Sequence, residues 1–230
     1  MNTPQLPLSL RFPPEQRLDA FHDPEGHVVP LLDAVARGVA VDWVYLEGPR
    51  GSGKTHLLLA ACAAADAAGR RAVYLPLGAL GVHAVDALAA QEQADLVALD
   101  GIEAVAGMRD TEIALFDFHN RARAAGAHLL YAAPGGPDTL ALALPDLRSR
   151  LAQCTRVALL PMDDAGRRAV LARRAEARGL QLDPAVIDWL LSHAGRDLAS
   201  LGGVLDQLDR ESLAARRRPT VAFLRGLLRP

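Results

Sequence analysis

The sequence predicts an α/β protein, a parallel sheet flanked by helices and followed by a small all-helical C-terminal region, and three observations carry that reading. An apolar run over residues 41–46 turns through glycines into an amphipathic helix. Four more apolar runs, at 72–77, 94–100, 128–133 and 155–160, alternate with helical patterns. Such alternation marks a parallel sheet whose ligands bind at the carboxyl ends of the strands. After Pro161 the periodicity is helical only.

The turn is a complete P-loop. Gly48, Gly53, Lys54 and Thr55 fall at the spacing Gly-x-x-x-x-Gly-Lys-Thr, enclosing Pro49, Arg50, Gly51 and Ser52 and running on into His56. Gly51 and Gly53 let the backbone turn N–H groups inward onto phosphate oxygens. Lys54 supplies a charge for the β- and γ-phosphates, and Thr55 offers its hydroxyl to magnesium. The helix beginning near Lys54 adds its positive end. Residues 48–56 are therefore the expected nucleotide-binding set. The run Ala94-Asp95-Leu96-Val97-Ala98-Leu99-Asp100 has the Walker B pattern, a buried strand whose terminal carboxylate emerges beside the P-loop. Asp100 joins Thr55 as the expected Mg2+-binding pair, and ADP or ATP with Mg2+ is the expected ligand.

Composition narrows the classes. The chain has 230 residues, half of them hydrophobic, enough for a substantial core. A formal charge of −2 argues against a protein whose main task is gripping duplex DNA. Cys62 and Cys154 form neither a Cys-x-x-Cys pair nor a disulfide framework, so both are expected as reduced core residues. His22 and His27, the closest histidine pair, lack cysteine or carboxylate partners at metal-ligand spacing and read as solvated or core residues, with no transition-metal site. No apolar run is long enough to span a bilayer and no signal sequence precedes the fold, so a cytoplasmic protein without a membrane partner is expected.

Taken in order, residues 1–14 are proline-rich and read as an extended tail. Within it, Gln5 precedes Leu6, Leu8 and Leu10, which share one side of an extended chain. That edge fits either a docking peptide or an edge strand of the chain's own sheet. Residues 15–160 form the expected nucleotide-binding domain: a lead-in through Leu18 and Phe21, a short helix near 30–37, the P-loop unit, a weak helical region over 79–91, the Walker B strand and an amphipathic helix over 109–125. Residues 161–230 form the expected lid. One lid helix runs from 163 to 179 with Ala165, Ala169 and Ala172 on a stripe and arginines facing water. A second starts at Asp183-Pro184, an N-cap followed by proline in the first turn. A third carries Leu198, Leu201, Leu205 and Leu208, and a last one follows Pro219.

The run Gly53-Lys54-Thr55-His56-Leu57-Leu58, the acid Asp100 and the segment Leu144-Pro145-Asp146-Leu147-Arg148-Ser149-Arg150-Leu151 resemble the AAA+ domain of the bacterial replication initiator DnaA. The likeness is closer to the Hda group of DnaA-related AAA+ regulators. No helix-turn-helix segment follows the helical lid, and Gln5-Leu6-Pro7-Leu8-Ser9-Leu10 is similar to that group's sliding-clamp peptide. The resemblance favours the docking reading of the tail.

It implies a regulator that binds the DNA-loaded sliding clamp, the β subunit of DNA polymerase III, through Gln5, Leu6, Leu8 and Leu10. It implies contact with ATP-bound DnaA and stimulation of DnaA's hydrolysis, with DNA reached only through the clamp. Whether the chain is a monomer or a homodimer stays open. By position Arg150 matches the family's arginine finger, a cation supplied to a neighbour's γ-phosphate; Arg148 reads as a surface residue. Three departures matter. The second Walker B acid of DnaA-like ATPases is Gly101 here, with Glu103 two residues on; the sensor 1 position is Ala133-Pro134; the sensor 2 arginine falls at Ala199, with Arg196 one turn away. Nucleotide binding is expected, and only weak hydrolysis by the chain itself. An AAA+ ATPase of the helicase-loader or initiator kind would need a water-positioning acid near Asp100. A small-molecule kinase would need a substrate-binding cluster on the lid.

Overall fold

The apolar runs form five parallel strands in a computed structural model that describes residues 16–40, 42–91, 93–193, 198–215 and 219–227; side chains of residues 198–201, 212–215 and 227 stand outside that description. The strands are β1 (Val44–Glu47), β2 (Ala72–Pro76), β3 (Leu96–Asp100), β4 (His128–Ala133) and β5 (Thr155–Ala158). Their order is β2-β3-β4-β1-β5, every neighbouring pair parallel. The register sets Glu47 against Ala133 and Asp100 against Ala132, so the carboxyl ends of β1, β3 and β4 finish side by side.

Strand residues alternate between two cores, as the two-residue period requires. Val44, Leu46, Leu96, Ala98, Leu130 and Ala132 face α1 (Val28–Ala36) and α2 (Lys54–Ala67). Tyr45, Val97, Leu99, Leu129 and Tyr131 face α4 (Ala84–Ala89), α5 (Arg109–Ala124) and α6 (Pro145–Ala152), with the one-turn α3 (Leu77–Leu80) at the edge. Both cysteines are buried thiols, Cys62 and Cys154 each pushed up to about 12 by burial. The lid helices are α7 (Asp164–Ala177), α8 (Pro184–His193), α9 (Leu198–Ala215) and α10 (Val221–Leu227). They enclose a third core of Leu171, Val186, Ile187, Leu190, Leu205, Leu208 and Leu224. No helix is long and apolar enough to cross a membrane among the described residues.

Several local readings change. The strand expected to reach 77 ends at Pro76, because Leu77 opens α3; the weak helical stretch is α3, a 3-10 turn at Gly81–His83 and α4. The last strand stops at Ala158. The segment 145–152 was not read as a helix, although Pro145 at its first turn with Asp146 beside it is a helix-start signal. On α7, Ala165 and Ala169 are exposed; the buried stripe is Gly166, Val170, Leu171 and Ala175, because branched residues contribute more to burial than alanine does.

Candidate nucleotide site and the opposite end of the sheet

Two positions in the P-loop accept only glycine. Gly53 has φ +96°, and a Cβ there would meet Phe21 Cε2 at 2.7 Å; at Gly48 a Cβ would meet the Leu159 carbonyl oxygen at 2.4 Å. The loop thus lies pinned between the lead-in and the end of β5. Lys54 Nζ donates to the carbonyl oxygens of Gly48 (2.6 Å) and Pro49 (2.9 Å), so the loop wraps its own lysine. Burial lowers the Lys54 pKa, and Asp100 and Glu103 oppose that shift.

Thr55 Oγ1 donates to Asp100 Oδ2 at 2.6 Å, and Tyr74 Oη, on β2, donates to the same oxygen at 2.8 Å. The hydroxyl and the carboxylate that the sequence pattern pairs therefore converge. Tyr74 is an additional holder of the carboxylate that the sequence reading did not identify, and its pKa is raised by burial and by the bond to Asp100. A hydroxyl and a carboxylate from two elements are hard oxygen donors of the kind Mg2+ takes.

These groups line a cleft of about 860 Å3 that also takes in Arg50, Gly51, Gly53, His56, Glu103 and Pro134. The lid closes its other wall with Arg174, Arg178, Gly202, Gly203 and Asp206. The expectation that the lid arginines face water is thus corrected for Arg174 and Arg178. Arg178 pairs with Asp206 at 2.7 Å, while Arg168 pairs with Asp188 at 2.6 Å on the outer side. The structure also brings Glu103 into this cleft, although the sequence spacing had not identified an acid beside Asp100. Gly101 at φ +84° turns the chain into a 3-10 helix (Ile102–Ala104) that carries Glu103 to the site. Ala133 and Pro134 stand at the end of β4, as read, and Pro134 lines the cleft without a polar side chain to offer.

Across the P-loop a second cleft of about 640 Å3 is lined by Phe21, His22, Ser52, Leu159, Pro161 and Met162 among others. Ser52 Oγ is buried there with no hydrogen-bond partner among the described residues. The cleft thus mixes apolar side chains with charged ones, Asp23, Glu25, Arg156 and Asp163 among them, around one orphan hydroxyl beside the P-loop. His22 belongs to this wall. Phe21 also stacks on His56, with centroids 6.1 Å apart, and His56 Nε2 lies 3.2 Å from the Arg17 carbonyl oxygen.

Arg150 stands elsewhere. It lines a cleft of about 270 Å3 with His119 and Arg123 of α5 and with Trp43, His128 and Cys154, which precede or begin β1, β4 and β5. The P-loop follows the carboxyl end of β1, so roughly 13 Å of strand separates the two ends. Among the described residues no carboxylate lies within ion-pair distance of Arg150. Arg148 donates instead to the Leu142 carbonyl oxygen at 2.8 Å and braces the turn before α6. Glu112, fully buried, braces the same turn: its carboxylate accepts from the N–H groups of Gly107 (2.7 Å), Ala143 (3.0 Å) and Leu144 (2.7 Å). The sequence reading did not single out Glu112. Gln5, Leu6, Leu8, Leu10 and Arg196 lie outside the described residues, as does the side chain of Ala199.

Residues 164–228 match a family model described as the Hda lid domain. AMPPCP-bound DnaA from Aquifex aeolicus superposes with a TM-score of 0.70 at 23% identity, over 86% of this chain and 66% of that one, so the chain spans just under two thirds of its length. Domain III of Thermotoga maritima DnaA gives 0.77 at 18% identity, over 94% and 97%. The RuvB Holliday junction branch migration motor of Thermotoga maritima gives 0.59 at 16%, over 85% and 64%. Residues 164–228 thus match an Hda lid domain, and the chain shares the fold of these DnaA structures.

Proposed function

We propose that this chain is a nucleotide-binding regulator of replication initiation, which docks on the DNA-loaded sliding clamp and stimulates hydrolysis of DnaA-bound ATP. One observation carries the reading: the P-loop lies at one end of the sheet and Arg150, without a carboxylate partner among the described residues, at the other. An arginine so placed is turned to a neighbour's nucleotide and away from its own. The clamp-binding part rests on the likeness of Gln5, Leu6, Leu8 and Leu10 to a clamp peptide, and DNA enters only through the clamp.

The chain's own ligand in this reading is ADP or ATP with Mg2+. Residues 48–56 hold the phosphates, with Lys54 as the point charge and Thr55 and Asp100 as the oxygen donors for the ion. Mg2+ supplies charge neutralisation to the phosphate oxygens. Phe21 and the orphan Ser52 hydroxyl flank the base and sugar. Arg174 brings a lid cation to the phosphates, in the region where the resemblance had put Ala199.

An AAA+ ATPase of the initiator or helicase-loader kind is the second reading, and the presence of Glu103 in the P-loop cleft favours it. A turnover assay with clamp loaded on DNA, with and without ATP-bound DnaA, separates the two. A trans-acting regulator hydrolyses little alone and accelerates DnaA's hydrolysis, and Arg150→Ala lowers that acceleration by about 10³-fold while its own nucleotide binding stays near normal. Substantial turnover without DnaA, abolished by Glu103→Gln and untouched by Arg150→Ala, would establish the ATPase reading instead.

A further inference from the structure

The imidazole of His119 projects from α5 into the interior at the foot of the sheet, 1% exposed. Its Nδ1 lies 2.9 Å from Tyr131 Oη, and its ring meets Trp43 edge-on at 4.5 Å between centroids. Its Nε2 has no partner among the described residues. Tyr131 is fully buried and has no other hydrogen-bond partner there. The tautomer follows from satisfying the most groups. If Nδ1–H donated to Tyr131, the tyrosine hydrogen and the Nε2 lone pair would both be stranded. If Tyr131 donates to Nδ1, only Nε2–H is left over. Nε2 is then a buried donor without an acceptor, and leaving one costs about 1–3 kcal/mol.

The His119 side chain forms part of the wall of the cleft that holds Arg150 and Arg123, with Nε2 buried just behind it. The two guanidiniums lie close enough to lower the His119 pKa beyond what burial does, so the ring is neutral near pH 7. Arg123 also lies over the Trp43 ring, 6.0 Å from its centroid. Neither guanidinium has a carboxylate within ion-pair distance among the described residues, although Asp42 lines the cleft with them, as does Gln153. The cleft, about 270 Å3, has room for a tetrahedral anion and several waters at roughly 30 Å3 per water. Two cations and a neutral N–H donor converging on one polar cleft are the complement of an oxyanion.

We propose that this cleft is a phosphate-oxyanion site in which His119 Nε2–H is the third donor beside Arg150 and Arg123. The oxyanion has two sources with the same chemistry: free inorganic phosphate, or the terminal phosphate of a nucleotide presented by a docked neighbour. Only the second rests on the function proposed above.

The test is the imidazole 15N spectrum of the whole protein, with the His119 Nε2 resonance read directly. The first arm adds inorganic phosphate against sodium chloride at equal ionic strength. The second adds ATP-bound DnaA in the presence of loaded clamp. A saturable shift with phosphate, weakened tenfold or more in Arg123→Ala, establishes the free-ion source; a shift only in the second arm establishes the nucleotide source. His119→Asn, whose side-chain oxygen can still accept from Tyr131, should remove the phosphate-dependent protection against thermal unfolding without altering the response to nucleotide at the P-loop. No shift in either arm, or an equal shift with chloride, overturns the site. The two readings fail separately. If Arg150→Ala abolishes stimulation while His119 stays unmoved, the regulator stands and this site falls; if His119 responds to phosphate while Arg150→Ala leaves stimulation intact, the site stands and the regulator falls.

Discussion

At the scale of single residues, Lys54 and His119 show how burial sets a charge's task. Lys54 bonds only carbonyls of its own loop, so Lys54→Ala should leave the sheet and its helices folded and remove the main cation from the phosphates. Nucleotide should then no longer raise the melting temperature, a loss that differential scanning fluorimetry would detect; a full shift in the variant would mean a vestigial loop. His119 makes a prediction in pH. Its pKa is held down at about 4 by burial and then by Arg150 and Arg123, with Tyr131, Trp43 and Cys154 as its other near neighbours. A group whose folded value lies below its unfolded value of about 6.5 leaves the unfolded chain binding more protons in between. Stability from the neutral ring is therefore present above pH 6.5 and lost as pH falls towards 4, on the order of 3 kcal/mol at most. Chemical denaturation at pH 7 and pH 4.5 should show a smaller drop in His119→Asn than in wild type; equal drops would place the acid sensitivity elsewhere.

At the scale of elements, the placement of Arg150 depends on a carboxylate 38 positions away in sequence. Glu112 at the start of α5 ties the loop before α5, through the Gly107 N–H, to the turn that launches α6, through the N–H groups of Ala143 and Leu144. Glu112→Gln keeps one acceptor oxygen but turns an amide donor towards the Leu144 N–H, and a buried mismatch of this kind costs about 2–3 kcal/mol. Urea denaturation should show that loss, and stimulation of a partner should fall with it because α6 loses its anchor. An unchanged midpoint would mean that the turn is held by packing alone. The lid couples in the same way to the P-loop. Burial lowers the His56 pKa and the charge of Arg174 on α7 lowers it further, so Arg174 stands close to the P-loop helix. Arg174→Ala should weaken nucleotide affinity about tenfold, the worth of one charge-assisted contact, measured by titration with a fluorescent ADP analogue.

At the scale of the molecule, the parallel sheet separates two chemistries. Every strand points the same way, so its carboxyl ends gather the P-loop, Asp100, Glu103 and Pro134, while its amino ends gather Trp43, His128, Cys154 and, beside them, Arg150. The two ends should therefore be independent to mutation. Lys54→Ala and Arg150→Ala should give additive effects on the stability of the isolated chain, as distant sites do, within about 0.5 kcal/mol. A larger coupling, measured by a double-mutant cycle, would show that the sheet transmits strain between them.

The glycine and lysine spacing of the P-loop, the apolar run that ends at Asp100, the five strands and the all-helical end were legible from the order of residues alone. Phosphate loops need glycines and a lysine at fixed spacing, and buried parallel strands need continuous apolar runs, so both leave local marks. Glu103, Arg174, Tyr74, Glu112 and His119 left no such mark. Their roles come from what lies across space: a left-handed glycine that swings Glu103 into the cleft, a lid helix whose buried stripe turns Arg174 inward, and strand neighbours that bring Tyr74 to Asp100 and Tyr131 to His119. Spacing along a chain carries information only where one element supplies all the partners. Where a carboxylate, a phenol or an imidazole takes its place from groups 12 to 32 positions away without a motif to mark them, only the packing of the tertiary structure decides it.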